Sequence, residues 1–247
     1  MPNPVDFRLA VATSAPTGTG SFSYTGKFQI VVENLAFAKL VSIWGRTSGS
    51  STWSDFPATF VESVPGNLEI WETTTNGSQI LEFVARYIVN GITYWDNNGG
   101  TNYHISEVSD ELDLILGNGG EVVMGPSSFS DATHVLMNVA VPNLAFTKSI
   151  GTVFTTDAWI TTRTANGTLS NTVKSGFEVW DIALTVPSGS QVECAVFYQV
   201  LGQEFWDNNF SRNYKLSKGA PFKPLLLAAP KWLGAKPKVA AAASRLG

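Results

Sequence analysis

Tyr94-Trp95-Asp96-Asn97-Asn98-Gly99-Gly100-Thr101-Asn102-Tyr103 and Phe205-Trp206-Asp207-Asn208-Asn209-Phe210-Ser211-Arg212-Asn213-Tyr214 align without a gap and share Trp, Asp, Asn, Asn, Asn and Tyr at the same offsets. A ring followed by amides and a carboxylate suits a sugar. The ring packs on the C–H face of a pyranose, and the polar groups satisfy its hydroxyls. The same string is turn chemistry, because Asp and Asn bond their own backbone two residues on. Both readings stand at this level. Catalytic chemistry has less support. Of the two histidines, His104 aligns with Lys215 and His134 has no partner motif for a Ser-His-Asp system. Glycoside hydrolysis needs two differently tuned carboxylates, whereas Asp96 and Asp207 occupy one position of two copies. No further acid cluster recurs at calcium-ligand spacing, and glycine-rich nucleotide loops are absent. Neither metal nor cofactor is expected.

The elements that must position these motifs are short strands. Apolar and polar residues alternate, as in Phe28, Ile30, Val32 and in Leu81, Phe83, Ala85, Tyr87, with Glu82, Val84, Arg86 and Ile88 on the other face. Period two, broken by Gly, Pro, Asn and Ser clusters, predicts antiparallel strands and an all-β chain. The duplication extends well beyond the motif. Asn34-Leu35-Ala36-Phe37-Ala38-Lys39 returns as Asn143-Leu144-Ala145-Phe146-Thr147-Lys148, Leu68-Glu69-Ile70-Trp71 as Phe177-Glu178-Val179-Trp180, and Trp53 as Trp159. With Phe7–Val11 matched to Leu112–Leu116, the expected organisation is one module over 1–107, a second over 108–217 and a Pro/Lys/Ala-rich tail over 218–247. Trp53, Trp95, Trp159 and Trp206 lie among small polar residues in loop-like segments and are expected to be exposed, while Trp71 and Trp180 are assigned to the structure.

Composition narrows the function further. The 247 residues carry a formal net charge of −4, but seven of the 16 basic residues fall in 215–247, which contains no acid. The body is therefore strongly acidic, which excludes nucleic-acid binding. No segment is apolar enough to span a bilayer, and the first residues lack the pattern of a secretory signal, so a cytoplasmic location is expected. Cys194 is the one cysteine; it sits in an apolar run and reads as core. The tail could dock on a sheet edge, lie on an anionic surface or stay disordered.

The repeated strings, together with Leu81-Glu82-Phe83-Val84-Ala85-Arg86-Tyr87, resemble the starch-binding domain of carbohydrate-binding module family 21. That family occurs in some fungal glucoamylases and in glycogen-targeting subunits of type-1 protein phosphatase. The likeness covers about 100 residues in each half. It implies two tandem immunoglobulin-like β-sandwich modules that bind α-1,4-glucans without catalysis. Carried over by position, it implies a first sugar site at Trp53, Trp95, Asp96, Asn97 and Asn102, and in the second copy at Trp159, Trp206, Asp207, Asn208 and Asn213. A further aromatic is replaced by Val84 and Ala195, for which Phe197 could substitute in the second copy. A second site would use Phe37 and Phe60, or Phe146 and Phe177, with Leu68 and Leu169 standing where aromatics are expected. The resulting expectation is a non-enzymatic, lectin-like, multivalent carbohydrate-binding protein. The alternatives are a lectin for another sugar such as galactose or N-acetylgalactosamine, and a phosphatase-targeting scaffold, which would need an Arg/Lys-Val-x-Phe motif that the chain lacks.

Overall fold

The computed structural model describes residues 3–18, 21–106, 112–118, 120–219 and 227–228. The chain folds as two compact units, Met1–Gly119 with Val173–Phe177, and Gly120–Thr172 with Glu178–Gly247. In the first, the strands are β1 (Val5–Gly18), β2 (Ser21–Glu33), β3 (Lys39–Thr47), β4 (Ser54–Pro57), β5 (Thr59–Val64), β6 (Leu68–Gly77), β7 (Ile80–Val89), β8 (Ile92–Asp96), β9 (Tyr103–His104) and β10 (Leu112–Leu116). They form one sheet in the order β10-β1-β2-β6-β5 and another in the order β4-β3-β7-β8, with β9 beside β7. All pairings are antiparallel.

The alternation read from the sequence builds the core. Phe28, Ile30 and Val32 of one sheet and Val41, Ile43, Phe83, Ala85, Tyr87 and Val89 of the other join one apolar cluster with Phe7 and Tyr103. Such paired inner faces supply most of the free energy of folding in a sandwich. Phe83 is central, 4.9 Å from Phe7 and 5.0 Å from Phe28 in edge-to-face contacts. One position departs from the pattern. The register shift between Arg46 and Thr47 leaves Leu81 as the extra residue of a bulge in β7, so Ile80 rather than Leu81 turns inward.

The second unit repeats the plan with β11 (Val123–Phe129), β12 (His134–Pro142), β13 (Lys148–Thr155), β14 (Arg163–Asn166), β15 (Thr168–Thr172), β16 (Phe177–Thr185), β17 (Val192–Val200), β18 (Gln203–Asp207), β19 (Tyr214–Leu216) and β20 (Leu227–Ala228). Its sheets run β15-β16-β12-β11-β20 and β14-β13-β17-β18, with β19 beside β17. Cys194 is buried here, as its apolar surroundings predicted, and desolvation pushes its thiol pKa up to about 12.

The strand correspondence between the copies needs one correction. Leu112–Leu116 does not open the second copy; it pairs with β1, from Leu9↔Leu116 to Thr13↔Leu112, and closes the edge of the first unit's sheet. Its structural counterpart is β20, which pairs with β11 through Val123↔Ala228 and Met124↔Leu227. Each copy thus ends by returning a strand to its own first strand, which protects an edge that would otherwise be open. The remaining expectations for the tail lie outside the described residues.

Candidate functional site

The Asp-Asn-Asn motif closes a hydrogen-bonded turn after β8. Asp96 Oδ2 accepts from Phe7 N (2.7 Å), Asp96 Oδ1 from Asn98 N (3.2 Å), and the Tyr103 hydroxyl donates to both oxygens at 3.0 Å. Asn97 Oδ1 accepts from Gly100 N, Asn98 Nδ2 donates to Asn102 O, and Asn102 Nδ2 donates to Glu82 Oε1. Asn98 and Asn102 adopt φ of 54° and 56°, which Asn tolerates better than most residues. The second copy reproduces the turn. Asp207 accepts from Met124 N, Asn209 N and the Tyr214 hydroxyl, Asn208 Oδ1 from Ser211 N, and Asn213 Nδ2 donates to Glu193. The sequence left the turn and the sugar readings both open; the carboxylates carry out the first. Asp96 and Asp207, expected to face a ligand, instead tie each turn to the first strand of its own unit.

What the turn presents differs between the copies. In the first unit Trp95 is 42% exposed and Asn97 is exposed, whereas Trp53 and Asn102 are half-buried. The outer face of the β4-β3-β7-β8 sheet continues the surface. Arg86 lies beside Trp95 in the strand register, its guanidinium 5.3 Å from the Trp44 ring centre and 5.9 Å from that of Trp95. Asp55 (2.6 Å) and the Ser42 hydroxyl (3.2 Å) hold it in place. The result is a half-exposed row of two indoles and a cation, fixed on rigid strands. Trp44, Arg86 and Asp55 were not among the expected site residues. The signal was available in the sequence, since Trp44 and Arg86 fall on the outward phase of β3 and β7.

In the second unit the equivalent residues are covered, which corrects the expectation that Trp159 and Trp206 are exposed. Trp159 and Trp206 are each 7% exposed, Asn208 1% and Asn213 5%. Phe197, at the position of Arg86, packs 5.4 Å from Trp206 and forms a buried cluster with Ala195 and the partly buried Val153. Its ring lies over Gly151, where a Cβ would come within 2.6 Å of Phe197 Cζ. Gly151, at the position of Ser42, leaves that space to the Phe197 ring.

The other expected site behaves differently again. Phe37 and Phe146 are fully exposed on equivalent loops. Each loop is braced from below. Lys39 Nζ donates to Asn34 Oδ1 (2.6 Å) and Glu69 Oε2 (2.7 Å), and Trp71 Nε1 donates to the same carboxylate. Lys148, Asn143, Glu178 and Trp180 repeat this network. Both lysine–glutamate pairs are almost entirely buried, so the pairing is what makes their desolvation tolerable. Phe60 stays half-exposed and packs edge-on against Trp71 at 5.8 Å. Phe177, expected beside Phe146, is half-buried and packs on the core of the first unit, to which Val173–Phe177 belongs.

Among the described residues no three His, Cys, Asp or Glu side chains are grouped to hold a metal ion. Paired antiparallel sheets with indoles, a guanidinium and amides on one outer face define a β-sandwich binding module. The pattern of the carbohydrate/starch-binding module, family 21, matches residues 23–106 and 120–217, and the chain belongs to that family. Glucoamylase 1 of Rhizopus oryzae is 31% identical over 105 residues, which span 39% of this chain and 17% of that enzyme. Protein phosphatase 1 regulatory subunit 3B of Homo sapiens is 32% identical over 91 residues, 31% of this chain and 30% of the subunit. The chain thus spans less than a third of the length of either relative. The starch-binding domain of the Rhizopus oryzae glucoamylase, solved with β-cyclodextrin and maltoheptaose, aligns at 30% identity over 42% of this chain and 94% of that domain, with a TM-score of 0.34.

Proposed function

We propose that the chain is a non-enzymatic, lectin-like protein that binds α-glucans through two tandem modules. One observation carries this reading: the outer face of the first unit holds Trp95, 42% exposed, in line with Arg86 and Trp44. A pyranose stacked on the Trp95 indole would find the Asn97 amide and the Arg86 and Asp55 side chains around its rim. Ring stacking gives affinity and the polar rim gives orientation. The exposed rings of Phe37 and Phe146 offer each copy a second contact for the same polymer. With two modules on one chain, a second contact on that polymer is intramolecular, which is the basis of the multivalent reading.

The test is titration calorimetry of the intact chain with maltoheptaose, run alongside a reducing-sugar assay. Heat of binding with no release of reducing ends is expected. Absence of heat, with retention on a galactose or N-acetylgalactosamine resin, would replace the α-glucan by another sugar. A second reading, glycogen targeting of a phosphatase, is supported by the likeness to the phosphatase 1 regulatory subunit. Capture of type-1 phosphatase by the immobilised chain would favour it.

A further inference from the structure

The second copy contains a polar defect that its sequence does not announce. The indole Nε1 of Trp159, the indole Nε1 of Trp206 and Oδ1 of Asn213 are all buried without a hydrogen-bond partner. All three residues are at least nine-tenths buried. Orphaned buried donors and acceptors are rare in native proteins because each forfeits its hydration for nothing. In the first copy Trp53, Trp95 and Asn102 have no such atoms. Two of these orphans lie in the repeated motif and the third in the loop between β13 and β14.

Ala158 and Trp159 stand at φ of 57° and 70°, a left-handed conformation that is unfavourable for alanine and more so for a bulky indole. Asp157 ties the loop down. Its Oδ1 accepts from Thr155 Oγ1 (2.7 Å) and Thr161 N (2.9 Å), and its Oδ2 from Thr161 Oγ1 (2.6 Å). Trp159 N donates to Thr155 Oγ1 at 3.1 Å. The root of the loop sits beside the motif, since Thr155 pairs across the sheet with Glu193, which accepts from Asn213 Nδ2.

We propose that residues 156–162 are a latched lid that closes the second copy's binding face, and that a glycan gains access when the lid lifts. Lifting releases the positive-φ strain, returns the Trp159 N–H to water and uncovers the Trp206 N–H and Asn213 Oδ1. Those two atoms can then bond the hydroxyls of a saccharide, which both donate and accept. The first copy, with no such latch, binds without this step. The inference concerns regulation of a site whose sugar rests on the function proposed above.

Two substitutions shift the lid in opposite directions in the full-length chain. Asp157→Ala removes the latch; Ala158→Gly relieves the strain of the closed form and so favours it. Hydrogen exchange of the Trp159 and Trp206 indole N–H groups, followed by NMR, reads the lid without any ligand. Exchange should quicken by about tenfold in Asp157→Ala and slow by about threefold in Ala158→Gly if the open form is a minor population. Thr161→Val, which removes one bond of the latch, should fall between wild type and Asp157→Ala. In a Trp95→Ala background, which weakens the first copy, maltoheptaose affinity should follow the same order, tightest for Asp157→Ala. Equal exchange rates in all variants, with unchanged melting temperatures, would overturn the lid. Faster exchange without a change in affinity would overturn its role in binding. A wild-type chain that ignores maltoheptaose would refute the α-glucan, while the exchange rates would still decide the lid.

Discussion

Asp207→Ala should destabilise the second module rather than weaken a ligand contact. The side chain is fully buried and accepts from Met124 N at 2.9 Å, Asn209 N at 3.3 Å and the Tyr214 hydroxyl at 2.7 Å. Alanine leaves these three donors facing a void with no water to turn to. Hydrogen bonds to a charged group contribute about 1.5 to 3 kcal/mol each, and stranded partners cost a similar amount, so the loss is about 4 kcal/mol or more. At about 4 °C per kcal/mol, the melting temperature of that module should fall by about 16 °C. Asp96→Ala should cost less, because Asp96 is half-exposed and water can replace part of what it accepts. Asn in place of Asp207 is not a rescue, since its amide presents N–H groups where donors already converge. Scanning calorimetry of wild type, Asp207→Ala, Asp207→Asn and Asp96→Ala decides the matter. If Asp207→Ala melts within about 2 °C of wild type while glycan binding disappears, the carboxylate is a ligand and the structural reasoning is wrong.

Trp95→Ala should weaken maltoheptaose binding by about fivefold, roughly 1 kcal/mol of stacking, with little change in melting temperature. Trp206→Ala should instead destabilise its module by about 3 kcal/mol or more, because Trp206 is only 7% exposed; comparing the two melts checks both. Ending the chain at residue 107 should destabilise the first module by several kcal/mol relative to an end at 119. It removes β10, whose Leu114, Ile115 and Leu116 are each 5% exposed, at about 1.5 to 3 kcal/mol for each side chain; equal stability to urea would contradict this. Lys148→Met strands the buried Glu178 and should cost about 3 to 5 kcal/mol, part of which the double variant with Glu178→Leu should restore. Burial raises the Cys194 thiol from 9.0 to about 12, so the unfolded chain gives up its proton first. The thiol's contribution to the second module's stability is therefore intact below about pH 9 and lost as pH rises toward 12, visible as a falling urea midpoint. At pH 8 the folded chain should resist a thiol reagent that labels it at once in denaturant.

The sequence alone determined what depends on short-range regularity. Period-two alternation through Phe28, Ile30 and Val32 needed no partner to be read as a strand whose apolar side chains enter the core. The gapless match of the Trp-Asp-Asn-Asn motifs established a duplication, and the Asn residues at positive φ are the ones their chemistry prepares for it. Tertiary structure decided whatever depends on a partner distant along the chain. Asp96 bonds the backbone of Phe7, 89 residues earlier, and Asp207 that of Met124, 83 residues earlier, which no local pattern encodes. Whether Leu112–Leu116 begins one module or ends another rests on which strand it pairs with, and alternation is the same in both cases. Trp95 and Trp206 occupy identical strings, yet one is exposed and the other buried. Arg86 must keep its charge near water, whereas Phe197 over Gly151 draws Trp206 into an apolar cluster. The aromatic is the same in both copies; its neighbour across the sheet, Arg86 in one and Phe197 in the other, is not.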